Sequence, residues 1–111
     1  MEIIKKTEGL GKMDLYKMVL DSGVKPIKSV AGSQLTYEAY CLYSDIDNNG
    51  NEVELLAIKA QEGCFTTNSK TFIEDFKKAL EFLDESDITT IFVKADKSKN
   101  DRTYYRCSIL A

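Results

Sequence analysis

A single segment of the chain, residues 70–83, has apolar side chains at the spacing of an α-helix. Phe72, Ile73, Phe76, Ala79, Leu80 and Leu83 form one apolar stripe with a period of 3.6 residues. Thr71 and Glu74 have the spacing of a capping box at its start. The acidic residues 84–87 would be unfavourable at a helix C-terminus, so we expect the helix to end there. One amphipathic helix therefore has to cover the apolar face formed by the rest of the chain.

The remaining segments have the character of β-strands. We predict five strands, at residues 12–20, 35–45, 52–60, 88–95 and 103–110. In the second strand Leu35, Tyr37, Ala39, Cys41 and Tyr43 alternate with residues of the opposite face. Asn49-Gly50 favours a tight hairpin turn after it. The third strand departs from alternation, and a bulge near Leu55-Leu56 would restore its register.

The order of these elements is strand, strand, strand, helix, strand, strand. This is the order of the OB-fold, a five-stranded Greek-key barrel. We therefore predict a mostly β, OB-fold-like barrel with one helix between strands 3 and 4. The 111 residues correspond to one domain, with residues 1–11 as a candidate flexible N-terminal arm. A generic α+β sandwich is the alternative.

The composition argues against several kinds of chemistry. The chain has no histidine, which excludes histidine-based catalysis and histidine metal ligands. Its three cysteines, Cys41, Cys64 and Cys107, are scattered and favour neither a disulfide framework nor a zinc site. The segment 45–50 starts like a calcium loop, but Leu56 occupies the position of the bidentate glutamate, and a hairpin turn explains the same residues. We predict no catalytic residue, no metal ligand and no cofactor, and we do not expect an enzyme.

Charge is distributed unevenly along the chain. Residues 1–36 carry six basic residues against four acidic ones, and residues 88–111 carry five against two. Residues 37–62 carry one against six, and residues 63–87 carry three against six. If the two ends meet in the fold, they form a basic face despite the net charge of −3. Scattered surface charge is the alternative interpretation.

Aromatic residues alternate with cations in the last two predicted strands. Phe92 alternates with Lys94, and Tyr104 with Arg106, on the face expected to point away from the core. Exposed rings beside cations are typical of proteins that bind single-stranded nucleic acid by stacking on bases and contacting phosphates. The alternative is that tyrosine simply favours strands.

The region from about Leu35 to Leu110 resembles the single-stranded DNA-binding proteins of small Bacillus phages that replicate by protein priming. The similarity rests on five segments in order: the strand ending at Tyr43, Phe65 before Ser69-Lys70-Thr71, Ile91-Phe92-Val93-Lys94, the turn Lys97-Ser98-Lys99-Asn100, and the strand from Tyr104-Tyr105 to Ile109-Leu110. The resemblance implies an OB-like fold that coats single strands without catalysis. It also implies that Tyr43 and Phe65 stack on bases, although Phe65 replaces a tyrosine. The hairpin between Asp45 and Glu52 is shorter and more acidic than in the family and lacks an aromatic residue.

We therefore expect a non-catalytic protein that coats single-stranded DNA during phage or mobile-element replication in the cytoplasm of a bacterial host. No signal sequence or membrane-spanning run is visible, and replication or host proteins are further candidate partners. Tyr40, Tyr43, Phe65 and Tyr104 would stack on bases. The cations expected at phosphates are Lys59, Lys94, Lys97, Lys99, Arg102 and Arg106. The alternative is a small phage interaction protein that inhibits a host factor, using the acidic residues of 37–62 to mimic DNA.

Overall fold

The computed structural model describes residues 1–83 and 90–110, which form a mostly β fold with two helices against a curled half-barrel sheet. The elements are β1 (Glu2–Lys6), α1 (Lys12–Val19), β2 (Lys25–Pro26), a 3-10 turn (Ile27–Val30), β3 (Gln34–Ile46), β4 (Glu52–Ala60), β5 (Gly63–Thr67), α2 (Lys70–Leu83), β6 (Thr90–Lys97) and β7 (Thr103–Leu110). No helix in these two ranges is long and apolar enough to cross a membrane.

The long strand β3 organises the sheet. The strand order is β2-β5-β4-β3-β6-β7, and β1 pairs separately with β3. One edge of β3 pairs with β4, while its other edge is shared, with β6 at residues 34–36 and β1 at residues 41–44. Because two strands share one edge, the β6–β7 hairpin diverges from the β1 side of the molecule.

A bulge in β3 decides which side chains enter which core. The register with β4 shifts between Tyr37 and Ala39, whereas the ladder from Ala39–Lys59 to Ile46–Glu52 is unbroken. The predicted bulge at Leu55-Leu56 is therefore wrong, and the irregularity lies in the partner strand. It also corrects the predicted alternation, because Leu35 and Tyr40 contribute to the same core although they are five residues apart.

The two faces of β3 and β4 are covered by different helices. The main core lies under α2, where the Tyr40 and Phe76 rings meet edge to face with centroids 5.5 Å apart. A second, smaller cluster lies on the α1 side and comprises Met18, Cys41, Tyr43 and Ala57. Residues 39–44 are consequently buried on both faces of the sheet.

Several elements differ from the sequence prediction. Residues 12–19 form a helix instead of the first strand, and Asp14 Oδ2 accepts a hydrogen bond from the Gly11 N–H at its start (2.9 Å). The helix at residues 70–83 is confirmed, but Ser69 rather than Thr71 caps it, accepting a hydrogen bond from the Phe72 N–H (3.3 Å). Residues 84–87 and the first two residues of the predicted strand 88–95 lie outside the described ranges.

The strand count also differs. The described residues contain seven strands instead of five, because the predicted strand at residues 12–20 is helical and the three strands β1, β2 and β5 were not predicted. Residues 2–6, within the segment expected to be an arm, form β1 and pair with β3. The coarse prediction of a mostly β fold is confirmed, whereas the arrangement seen is a half-barrel with two helices rather than a five-stranded barrel with one.

Candidate nucleic-acid interface

The β6–β7 hairpin separates apolar from charged side chains as the alternation predicted. Ile91, Val93 and Cys107 are buried in the main core. The opposite face carries Phe92, Lys94, Tyr104 and Arg106, with Lys94 directly across from Arg106. We call these four residues, together with the turn cations Lys97, Lys99 and Arg102, the hairpin surface.

The turn at the end of the hairpin carries three cations, Lys97, Lys99 and Arg102, interleaved with Asp96 and Asp101. Lys97 Nζ lies 3.4 Å from Asp101 Oδ1, and these side chains are largely exposed. Exposed pairs of this kind are weak and open readily. Within residues 1–83 and 90–110, Lys99 and Arg102 have no ion pair. The turn therefore offers exposed positive charge to an anionic ligand.

Arg106 is held in a fixed position by α2. Its Nε and Nη2 donate to the two carboxylate oxygens of Asp75 (2.9 and 3.2 Å), and Asp75 also accepts the Cys107 N–H (3.2 Å). Burial alone would raise the pKa of Asp75, but the hydrogen bonds from Arg106 and Cys107 and the charge of Arg106 outweigh it, so this pKa lies below its ordinary value. Asp75 thus stays ionised and neutralises part of the charge of Arg106.

A groove of about 480 Å³ lies beside the hairpin, between the two ends of the curled sheet. Thr103, Tyr104 and Tyr105 form one wall, and Pro26, Ile27 and Lys28 contribute another. The remaining lining residues are Leu55, Thr66, Thr67, Asn68 and Ser69. Hydroxyl and amide groups therefore predominate on the side of the groove that leads into α2.

Backbone polar groups of two elements reach this groove. The first is the N-terminus of α2, which begins at Lys70 directly after Ser69, where backbone N–H groups favour anions. The second is the outer edge of β7. The backbone of Val93 bonds to Gly32 and Ser33 on the far side of β6, and the Cys107 N–H bonds to Asp75, so Val93 and Cys107 do not bond to each other.

Because antiparallel pairs alternate between bonded and non-bonded, the backbone groups of Tyr105 also point away from β6. They face the edge of the sheet at which the groove lies. A ligand in the groove thus meets backbone polar groups as well as side chains.

Three of the predicted stacking residues lie in the interior. Tyr40, Tyr43 and Phe65 are only 2%, 4% and 4% exposed, and burial raises the pKa of the Tyr43 hydroxyl. This arrangement corrects the sequence analysis, because a ring enclosed on both sides presents no face to a base. The residues are buried because α1 and α2 cover opposite faces of the same sheet.

Of the predicted cations, Lys59 is separated from the others. It lies on β4, 4.0 Å from Glu38, with β3 between it and the hairpin. The structure brings Lys94, Lys97, Lys99, Arg102, Tyr104 and Arg106 together on one hairpin. The groove adds Lys28, Ser69 and Tyr105, which the sequence analysis did not select. Proximity of the 3-10 turn to β7 could not be inferred from local pattern.

The cysteines show no sign of activation. Burial raises the pKa of Cys107 to about 12, with Asp75 adding to the effect. Burial likewise raises the pKa of Cys41 and Cys64, against the opposing charges of Lys6 and Lys59. All three are in the neutral thiol form at pH 7, which agrees with a structural role.

No protein-family model, curated protein or solved structure matches this chain. The resemblance to phage single-stranded DNA-binding proteins therefore stays a prediction from the residues alone.

Proposed function

We propose that this protein binds single-stranded DNA without catalysis, with the strand crossing the hairpin surface and entering the groove. The observation that carries the proposal is the position of Tyr104. Its half-buried side chain belongs both to the cationic hairpin surface and to the wall of the groove. A base stacked on this ring would have phosphates on either side of it within reach of different cations.

The hairpin surface and the groove would bind different parts of the strand. Lys97, Lys99 and Arg102 supply exposed positive charge that would follow a phosphate backbone. Tyr104 supplies a π-face that accepts any base, for about 1–3 kcal/mol of binding free energy. Ser69 and the start of α2 supply donors for a phosphate inside the groove. Binding of this kind is tolerant of sequence and sensitive to salt.

The proposal extends to biological setting as the resemblance implies it: coating of single strands during phage or mobile-element replication in a bacterial cytoplasm. In this proposal, aromatic residues on strands stack on bases, as they do in OB-fold proteins. Here those strands belong to a half-barrel. Replication or host proteins are the further partners expected in that setting.

The alternative, inhibition of a host factor by a DNA-like acidic surface, has weaker support. Five of the six acidic residues between 37 and 62 already have partners within the chain. These are Glu38 with Lys59, Asp45 with the Met1 amino group, Asp47 with the Asn49 and Asn51 N–H groups, Glu54 with Lys77, and Glu62 with Thr36. Three of these partners, Lys59, Lys77 and the Met1 amino group, are positive charges placed among the acids, and they interrupt an anionic stripe.

The test is a binding titration of the full chain against a labelled oligo-dT strand, followed by fluorescence anisotropy at two salt concentrations. We expect saturable binding that weakens as salt rises. Tyr104→Ala should raise the Kd by roughly 5- to 150-fold, which corresponds to one stacked base. Replacing both Lys99 and Arg102 with Gln should weaken binding and reduce its salt dependence.

The matched control is Tyr16→Ala, because Tyr16 is an exposed tyrosine on α1, away from the hairpin surface and the groove. It should leave the Kd unchanged. Equal effects of Tyr104→Ala and Tyr16→Ala would contradict the site, and absence of binding by folded wild-type protein would contradict the function.

A further inference from the structure

Exposed apolar side chains are concentrated at one end of the chain. Of the nine large apolar side chains exposed in residues 1–83 and 90–110, six lie within residues 1–20. They are Met1, Ile3, Ile4, Met13, Tyr16 and Leu20, with exposed fractions between 39% and 68%. Met1, which directly precedes β1, shares a hollow of about 200 Å³ with Leu15, Tyr16, Val19 and Leu20, so the start of the chain and α1 contribute to one surface. A clustered apolar surface of this kind indicates an interface.

The strand β1, which begins directly after Met1, has one unused edge. Within the described residues β1 pairs only with β3, so its other edge carries no strand. An open edge presents unpaired N–H and C=O groups and is a template for another strand. The ladder with β3 shifts register between Ile3 and Lys5, which makes Ile4 a bulge with two regular residues on each side.

The charges of β1 select the partner. Its sequence is Glu-Ile-Ile-Lys-Lys, with an acid at one end and two bases at the other. Glu2 and Lys5 have no ion pair within residues 1–83 and 90–110. Parallel pairing of two such strands would place lysines against lysines. Antiparallel pairing places Glu2 of each strand opposite Lys6 or Lys5 of the other, and this arrangement repeats by two-fold symmetry.

We propose that the open edge of β1 pairs antiparallel with β1 of a second copy of this chain, forming a symmetric homodimer with a continuous sheet. In the register that places Glu2 opposite Lys6, the two Ile4 bulges meet at the two-fold axis. The axis is perpendicular to the sheet, so the two α1 helices lie on the same face. Met1, which directly precedes each β1, lies at the end of the new strand pair and connects it to the apolar hollow shared with α1.

This dimer is independent of the proposed DNA-binding function. No residue of the hairpin surface or the groove lies in β1 or α1. Loss of one activity would therefore leave the other intact, and the two proposals can fail separately.

The experiment is sedimentation equilibrium of the full chain from micromolar to millimolar concentration, with two charge-reversed variants. Glu2→Lys makes β1 wholly basic, and the double variant Lys5→Glu/Lys6→Glu makes it wholly acidic. Each alone should raise the dimer Kd at least about tenfold, because like charges face each other twice. An equimolar mixture should regain association as a heterodimer, because opposite charges again face each other.

Glu74→Lys is the matched control, since it makes the same charge reversal at an exposed position on α2 and should leave the dimer Kd unchanged. Circular dichroism of each variant checks that it is folded, and recovery in the mixture excludes misfolding as the cause of dissociation. A monomeric wild-type chain over the whole range would overturn the proposal. So would failure of the mixture to recover, or an equal effect of Glu74→Lys.

Discussion

The two helices lie on opposite faces of the same strands, yet they are built in different ways. α2 buries six side chains, among them Phe72 and Phe76, and keeps charged residues on its outer face. α1 fully buries only Met18 and carries Met13 and Tyr16 on its exposed side, with the exposed Leu20 at its C-cap. The six buried residues of α2 therefore define one face, whereas the apolar residues of α1 are spread around the helix.

The helices also differ in their polar connections to the sheet. α2 has two such connections, from Asp75 to Arg106 and Cys107 and from Lys77 to Glu54 (3.0 Å). Among the hydrogen bonds and ion pairs of the described residues, no side chain of α1 reaches a strand. α2 is thus bound to the sheet by both apolar and polar contacts. α1 packs on the sheet through apolar contacts, and its outer side is exposed.

Among single truncations, we expect the largest loss of folding stability at the centre of α2. Phe76 is 1% exposed and contacts the rings of Tyr37 and Tyr40. Phe76→Ala should lower the free energy of unfolding by about 3–5 kcal/mol, because it removes buried contacts and leaves a cavity. Urea denaturation monitored by circular dichroism measures this. Phe82→Ala on the same helix, at a residue 62% exposed, should change it by less than about 0.5 kcal/mol.

The corresponding truncation on α1 tests whether its smaller cluster contributes independently. Met18→Ala removes the fully buried side chain that packs near Cys41, Tyr43 and Ala57. We expect a loss of roughly 2–3 kcal/mol in the same denaturation experiment, below the loss for Phe76→Ala. Met13→Ala is the control, because Met13 is a methionine of the same helix that is exposed. An effect of Met18→Ala no larger than that of Met13→Ala would mean that α1 adds little to stability.

The contrast between the helices explains which parts of the fold the sequence could predict. α2 was predictable because one core receives its whole apolar stripe. α1 was predicted as a strand because its apolar residues serve two surfaces, a core on one side and the exposed surface on the other. The hairpin of residues 35–60 was predictable from its turn, where Gly50 has a φ of +79°, but the bulge in β3 was not, because no glycine or proline marks it.

Some residues of the candidate site could also be predicted from local pattern, and others could not. Tyr104, Arg106 and the turn cations were found because β6 and β7 have one buried and one exposed face, which alternation describes correctly. Tyr40 was misassigned because β3 is buried on both faces, and alternation cannot distinguish two buried faces from one. Alternation placed Tyr43 on the apolar face, and its stacking role was implied only by the resemblance. Lys28 and Ser69 come to the groove through tertiary packing alone, so no local pattern could have selected them.

The smallest expected loss of folding stability is at the polar connection between α2 and β7, which has no counterpart on α1 within the described residues. Asp75→Asn removes the charge facing Arg106 and weakens the hydrogen bond to the Cys107 N–H. We expect a loss of about 1–2 kcal/mol at pH 7, typical of a hydrogen bond to a charged, partly buried group. Glu54→Gln is the control, since it disrupts the more exposed Glu54–Lys77 pair and should cost less than about 1 kcal/mol.

The pH dependence of this difference identifies the carboxylate as its source. The pKa of Asp75 is lowered in the folded protein, so its ionised form stabilises the fold at any pH above the unfolded-state pKa of about 4. That contribution is lost as the pH falls through the lower, folded-state pKa, where wild-type Asp75 becomes protonated and resembles asparagine. The stability gap between wild type and Asp75→Asn, measured by urea denaturation at a series of pH values, should therefore be constant near neutrality and shrink below pH 4. A gap that persists unchanged at acidic pH would mean that the carboxylate charge does not stabilise the packing of α2 against β7. The proposed difference in polar connections between the two helices would then be wrong.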